Sequence, residues 1–230
     1  MNRKSATRKG FVAAAALSAV IGLSACGTND VDTAQAADST SSSVSVPKPA
    51  AVVRAIPGGD TAVTLDSGFV SALGTLGLTP GVTGTATLDG TTGVVDFPIT
   101  GGTVTLYDRE SGYRPWVQGV IFHDGSGLTL AAGGTTVELS NFAIDPGKPA
   151  RLFGDVTVNG ELAAPNAPLF NLDGSTLSAP TMGADGSAVL DGTTVKLSDE
   201  AAGLLNSTFK TDALAGGLVI GTSTITVETK

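Results

Sequence analysis

Only one cysteine, one histidine and one tryptophan occur in the 230 residues, and aromatic side chains make up 5% of the chain. The lone Cys26 excludes a disulfide within the chain, and a zinc site, which recruits several His or Cys ligands, has too few of either. Cations are scarce as well: 13 Lys and Arg stand against 21 Asp and Glu, a net charge of −8. Nucleic acid and anionic lipid both call for clustered Lys and Arg, so neither is an expected partner. A helix crossing a bilayer needs roughly 20 apolar residues, and the apolar stretch from Phe11 to Leu23 falls short of that.

That stretch follows Arg3, Lys4, Arg8 and Lys9 and ends at Leu23-Ser24-Ala25-Cys26, the charged, apolar and small-residue regions of an export signal in their usual order. Leu23-Ser24-Ala25-Cys26 resembles the lipobox of bacterial lipoproteins. The resemblance implies a diacylglyceryl thioether on Cys26, removal of residues 1–25, and a mature chain lipid-anchored on the extracytoplasmic face of the cell membrane. Each buried methylene contributes about 0.8 kcal/mol and firm anchoring takes two acyl chains, which one diacylglyceryl group supplies. Thr7-Arg8-Lys9-Gly10-Phe11-Val12 faintly resembles a twin-arginine signal with Lys in the second place, and leaves the export route open. Cleavage removes four cations, so the mature chain is strongly acidic, which favours solubility. Residues 26–50, rich in Ser and ending near Val46-Pro47-Lys48-Pro49, have little to bury and read as a disordered tether of roughly 25–30 Å mean span.

What is abundant is glycine, 31 residues, scattered between short β-branched runs. Many short strands joined by tight turns follow from that distribution, and residues 51–230 suffice for one domain. Strands are expected at Thr61–Leu65, Gly84–Leu88, Val94–Ile99, Thr103–Tyr107, Val117–His123, Leu128–Ala131, Thr135–Phe142, Val219–Ile220 and Thr224–Val227. Val137-Glu138-Leu139 and Val156-Thr157-Val158 alternate as strands with one wet and one dry face do. Asp89-Gly90, Asp124-Gly125, Asn159-Gly160, Asp173-Gly174, Asp185-Gly186 and Asp191-Gly192 tolerate positive φ where turns require it. Two short helices are predicted. One runs from the Asp66-Ser67 cap to Gly77, carrying Phe69, Val70, Leu73 and Leu76 at helical steps; the other follows Ser198-Asp199-Glu200. The expected fold is all-β, an antiparallel β-sandwich or barrel-like domain with one or two short helices.

Catalytic chemistry is hard to find. Asp124-Gly125-Ser126-Gly127 beside His123 is no Gly-x-Ser-x-Gly elbow and reads as a hairpin turn. The acidic residues are scattered singly instead of in the spacing of a calcium loop. No metal site and no enzymatic activity are therefore expected. The richest stretch, Tyr107 to Trp116 leading into His123, gathers both tyrosines, the tryptophan and the histidine. It is either a binding loop contributing Tyr107, Tyr113, Trp116 and His123, or a core segment in which Trp116 and Phe122 pack inward and the tyrosines edge them. The core reading is the plainer one.

Gly119-Val120-Ile121-Phe122-His123-Asp124-Gly125-Ser126-Gly127-Leu128-Thr129-Leu130 and Val137-Glu138-Leu139-Ser140-Asn141-Phe142-Ala143-Ile144-Asp145 are similar to the core of HtaA-like, haem-transport-associated exported domains, and Leu197 to Phe209 resembles the short helix near their end. The resemblance spans roughly residues 60–228. It implies haem as cofactor, with a Tyr near the start of the domain as iron ligand and a supporting His, which His123 matches. The first position is not matched, since the early helix carries Phe69 and no Tyr precedes Tyr107. The leading expectation is a lipid-anchored, non-catalytic binding or structural module meeting an envelope protein, a glycan or a small molecule. Capture and transfer of haem or another small apolar ligand is the alternative, and a carboxylate-based hydrolase a remote one.

Overall fold

A computed structural model describes residues 45–230. The expected export signal, Cys26 and the expected tether up to Val44 lie outside the described residues. The strands are β1 (Ala51–Val53), β2 (Gly59–Leu65), β3 (Thr79–Gly84), β4 (Thr87–Asp89), β5 (Val94–Pro98), β6 (Gly101–Leu106), β7 (Val117–Ala132), β8 (Thr135–Asp145), β9 (Arg151–Val158), β10 (Glu161–Asp173), β11 (Thr181–Met182), β12 (Ala188–Leu197) and β13 (Val219–Val227). Two α-helices interrupt them, α1 (Ser67–Thr75) and α2 (Asp199–Phe209), with short 3₁₀ turns at Arg109–Ser111 and Gly174–Thr176. Every pairing is antiparallel, in the order β1-β6-β7-β8-β9-β10-β12-β13-β2-β5-β4, with β3 added to β7 and β11 to β12. The sheet curls into a half-barrel, which realises the barrel-like form of the expected fold and not a sandwich of two facing sheets.

Both helices form where capping chemistry places them. Asp66 Oδ1 accepts from the Gly68 and Phe69 amides at 2.8 and 3.1 Å, and Ser198 Oγ accepts from Ala201 N at 2.9 Å. Each bond satisfies amides that a helix start otherwise leaves orphaned. Leu73 on α1 and Ala201, Ala202 and Leu205 on α2 are buried against the sheet. α1 stops at Thr75, two residues earlier than expected, because Leu76 caps it and Gly77 turns the chain at φ 65°.

Several expected breaks prove to be irregularities inside longer strands. Asp124 to Gly127 is no hairpin turn: β7 runs through it, with its register against β8 shifting between His123 and Gly127. The bulge is held by side chains, with Ser126 Oγ donating to the His123 carbonyl at 3.0 Å and Asn141 Oδ1 accepting from Gly125 N at 2.9 Å. Asp191-Gly192 likewise lies within β12 as a register shift, and the two expected C-terminal strands are one, β13. The expected strand Gly84–Leu88 is divided, since Gly84 takes φ 64° between β3 and β4. The long β10, with Pro165 and Pro168 inside it, tolerates both prolines through three register shifts against β9.

The core is in two parts. One gathers Leu73, Val95, Phe97, Val137, Phe142, Val156, Leu169 and Phe170 beneath the helices. The other gathers Ile56, Ile99, Val104, Ile121, Ile144, Leu190, Ile225 and Val227. Leu152 and Leu172, only partly buried, pack against both. Gly127 makes the β7 bulge possible: a methyl there would collide with the Leu139 carbonyl oxygen of the facing strand. Gly127→Ala should therefore lower the stability of the folded state by about 1–3 kcal/mol, the cost of overpacking a site that backbone encloses, read as a reduced denaturant midpoint.

Candidate functional site

Between the two parts of the core lies a cavity of about 400 Å³, within the range of small-molecule sites. Period-two alternation builds its walls. Thr61, Val63 and Leu65 of β2 point inward together, as do Ile121 and His123 of β7, Phe142 and Ile144 of β8, and Ser223 and Ile225 of β13. The mouth is made by three connections at one end of the sheet. These are Arg114, Pro115 and Trp116 before β7, Pro146, Gly147 and Lys148 after β8, and Gly174 and Leu177 after β10.

His123 is the polar centre of this apolar space. Its side chain is 1% exposed, and Nε2 lies 2.9 Å from Thr61 Oγ1, so the contact joins β7 to β2, strands remote from each other in the ladder order. Nδ1 is buried and meets no group at hydrogen-bond geometry. Desolvation pushes the ring pKa down to about 4; the backbone of Phe142 and the charge of Asp124 pull upward and lose. Phe97 meets the imidazole edge-on at 6.4 Å between ring centres, and Phe142 packs on Phe97 at 5.4 Å, continuing to Phe170 at 6.4 Å. The imidazole is therefore neutral at pH 7, held by Thr61, and stands at one end of a row of aromatic rings.

The stretch from Tyr107 to His123 divides. His123 and Trp116 line the cavity; Tyr107 and Tyr113 do not, and pack against each other half-buried, ring centres 4.6 Å apart and planes tilted by 59°. Arg109 lies over the Trp116 ring, 4.9 Å from its centre, and donates to the Leu177 carbonyl at 3.0 Å, which ties the loop before β7 to the opposite rim. Trp116 is only half-buried, and Phe122, expected in the core, is 38% exposed. The register explains it. Phe122 stands opposite Ala143 while Ile121 and His123 stand opposite Ile144 and Phe142, so an inward histidine sends its neighbour out. Thr61, Arg114, Lys148, Leu152 and Leu172 were not singled out from the sequence. For Thr61 the signal was present in the alternation Thr61-Ala62-Val63-Thr64-Leu65; for the rim residues nothing local marks them.

Hydrolytic machinery is not assembled around His123. Ser126 Oγ binds the carbonyl of His123 and not its ring, no Asp or Glu lines the cavity, and Nδ1 has no carboxylate to orient it. An imidazole of pKa about 4 is also a weak general base. Among the described residues no group of three or more His, Cys, Asp and Glu side chains comes together as a metal site. A tyrosinate-ligated haem does not fit either, because the cavity is lined by no tyrosine; the imidazole is the one metal-ligating side chain it offers.

The fold has known counterparts. It is similar to the C-terminal domain of HtaA from Corynebacterium glutamicum, with a TM-score of 0.50 and 16% sequence identity over 76% of this chain and 99% of that one. The heme binding protein HtaB from Corynebacterium glutamicum aligns at a TM-score of 0.43 and 11% identity, over 78% of this chain and 96% of that one. At such identities the likeness to HtaA is one of fold. No protein-family model and no curated protein matches the sequence.

The depressed pKa of His123 couples folding to acidity. In the unfolded chain the ring titrates near 6.5, in the folded one near 4, so the folded state refuses a proton that the unfolded state accepts. Stability from this group is complete above pH 6.5, falls as pH drops from 6.5 to 4, and changes no further below, a loss of about 3 kcal/mol in all. Thermal unfolding across that range should show the slope in the native protein, and His123→Gln should remove it.

Proposed function

We propose that the protein is a non-catalytic binding protein that carries a small apolar ligand in the cavity and is held at the outer face of a bacterial membrane by lipid on Cys26. The cavity carries the reading. A core of this size ordinarily closes on itself at close-packed density, whereas here two apolar clusters line one space from opposite sides. Polar groups within it are few, an imidazole and the hydroxyls of Thr61, Thr193 and Ser223. That is the composition of a site which recognises shape and apolar surface first and orients its ligand with a handful of polar atoms.

Leu152 and Leu172 stand where the two clusters meet, so enlarging them should fill the space. Titration with the neutral dye N-phenylnaphthylamine, followed by energy transfer from Trp116, should saturate. Leu152→Phe/Leu172→Phe should weaken the affinity at least about tenfold, the equivalent of 1.4 kcal/mol, while circular dichroism stays native. A dye that does not bind, or binds the filled variant equally well, counts against the cavity as the site.

A second reading, haem held through His123, is favoured by the buried Nδ1, which meets no group at full hydrogen-bond geometry although the backbone of Phe142 lies near the ring. Neutral imidazole is a competent iron ligand. Addition of haem should then produce a Soret band that His123→Ala abolishes and that Tyr107→Phe/Tyr113→Phe leaves intact; a featureless titration removes this reading and leaves the first.

The membrane attachment rests on the lipobox-like Leu23-Ser24-Ala25-Cys26. Mass spectrometry of the mature N-terminus should find Cys26 carrying a diacylglyceryl group, and Cys26→Ser should shift the protein out of the membrane fraction. An unmodified N-terminus overturns the attachment without touching the cavity.

A further inference from the structure

The charge of the cavity is opposite to the charge of the protein. In a chain with 21 acidic and 13 basic side chains, no Asp or Glu lines the cavity, and the ionisable groups that do, besides neutral His123, are Arg114 and Lys148. Both are exposed, and both belong to connections that form the mouth. Among the described residues neither is in a salt bridge, whereas Arg151 and Lys196 pair with Glu200 and Asp173. Arg114 is nonetheless positioned: Nη1 donates to the carbonyls of Arg109 and Tyr113 at 3.2 and 2.9 Å, which leaves the rest of its guanidinium fork uncommitted. Arg109, beside it, is already engaged with Trp116 and the Leu177 carbonyl.

Resting on the cavity as the binding site, we propose that its ligand is an amphipath with an anionic head, its apolar body between the two core clusters and its carboxylate or phosphate at the mouth against Arg114 and Lys148. The interior is suited to the body, since its few polar side chains sit within apolar walls. The rim is suited to the head for a separate reason. Two cations from different loops line an opening whose lining includes no carboxylate, and in a protein this acidic a free anion would otherwise be repelled at the surface. Charge-assisted hydrogen bonds at the mouth would fix which end of the ligand enters first, because an ionised head cannot follow the body into a dry interior without a large desolvation cost.

Trp116 is the only tryptophan of the chain and stands at this mouth, so its emission reports occupancy directly. The test uses the full chain in phosphatidylcholine vesicles, which carry no net surface charge, titrated with octanoate, octyl phosphate, octanol and octylammonium. One of the two anions should bind at least about tenfold more tightly than octanol and octylammonium, and whichever is tighter identifies the head. In Arg114→Gln/Lys148→Gln that advantage should collapse to less than about twofold. Equal binding of all the probes, or an advantage that survives in the double variant, overturns the anionic head while leaving the cavity as the site. If no probe changes Trp116 emission, or Leu152→Phe/Leu172→Phe binds them all as before, the cavity reading itself fails and this inference with it.

Discussion

The hydrogen bond between His123 and Thr61 is the contact on which the arrangement of the interior depends. It joins strands on opposite walls of a curled sheet, in a place where an unpaired polar group would be costly. Thr61 is itself 4% exposed and on β2, whose neighbours β13 and β5 carry much of the apolar wall. The bond thus sets how far the two walls stand apart at that level. Phe97, packed edge-on against the imidazole and against Phe142, extends the brace sideways. A space remains on one side of this brace because the side chains lining it, mostly Val, Ile and Leu, are too short to meet across the gap.

A split core of this kind couples binding to stability. An occupant touching both clusters would restore the dispersion contacts that the empty space forgoes, and anything that binds only the folded state stabilises it by mass action. The same site resists acid poorly, because the imidazole at its centre stays neutral only while the apolar surroundings hold. On the proposed reading, capacity for a ligand and incomplete packing are two descriptions of one volume. The loop carrying Arg109, Arg114 and Trp116 lines its opening, and Arg109 holds that loop to the far rim through the Leu177 carbonyl.

Legibility in the sequence followed the range of the forces involved. Helix starts at Asp66 and Ser198 were readable because capping acts over three residues. Turns at Asn159-Gly160 and Asp89-Gly90 were readable for the same reason. The bulge at Asp124 to Gly127 was not, since a glycine-rich segment between two apolar runs has one composition whether the chain reverses or only shifts register. Asn141 on the neighbouring strand decides it by receiving the Gly125 amide. The inward direction of His123 and the outward direction of Phe122 are fixed by register against β8, and the identity of the rim residues by which loops the curl brings to one end. Resemblance to HtaA-like domains anticipated the fold, and the missing early tyrosine was legible in the sequence; that Tyr107 and Tyr113 stay off the cavity wall was not, because loop packing and not local spacing decides it.

The ends of the ladder have a consequence for molecules crowded side by side. An open sheet exposes unpaired amides and carbonyls along its outermost rungs, an invitation to polymerise. Here both ends of the main ladder, β1 and β4, are only three residues long, and the longer free edge is that of β3, six residues added to β7. The two end rungs give neighbouring copies too short a seam to zip together, and β3 is the edge along which strand pairing between molecules would have to begin.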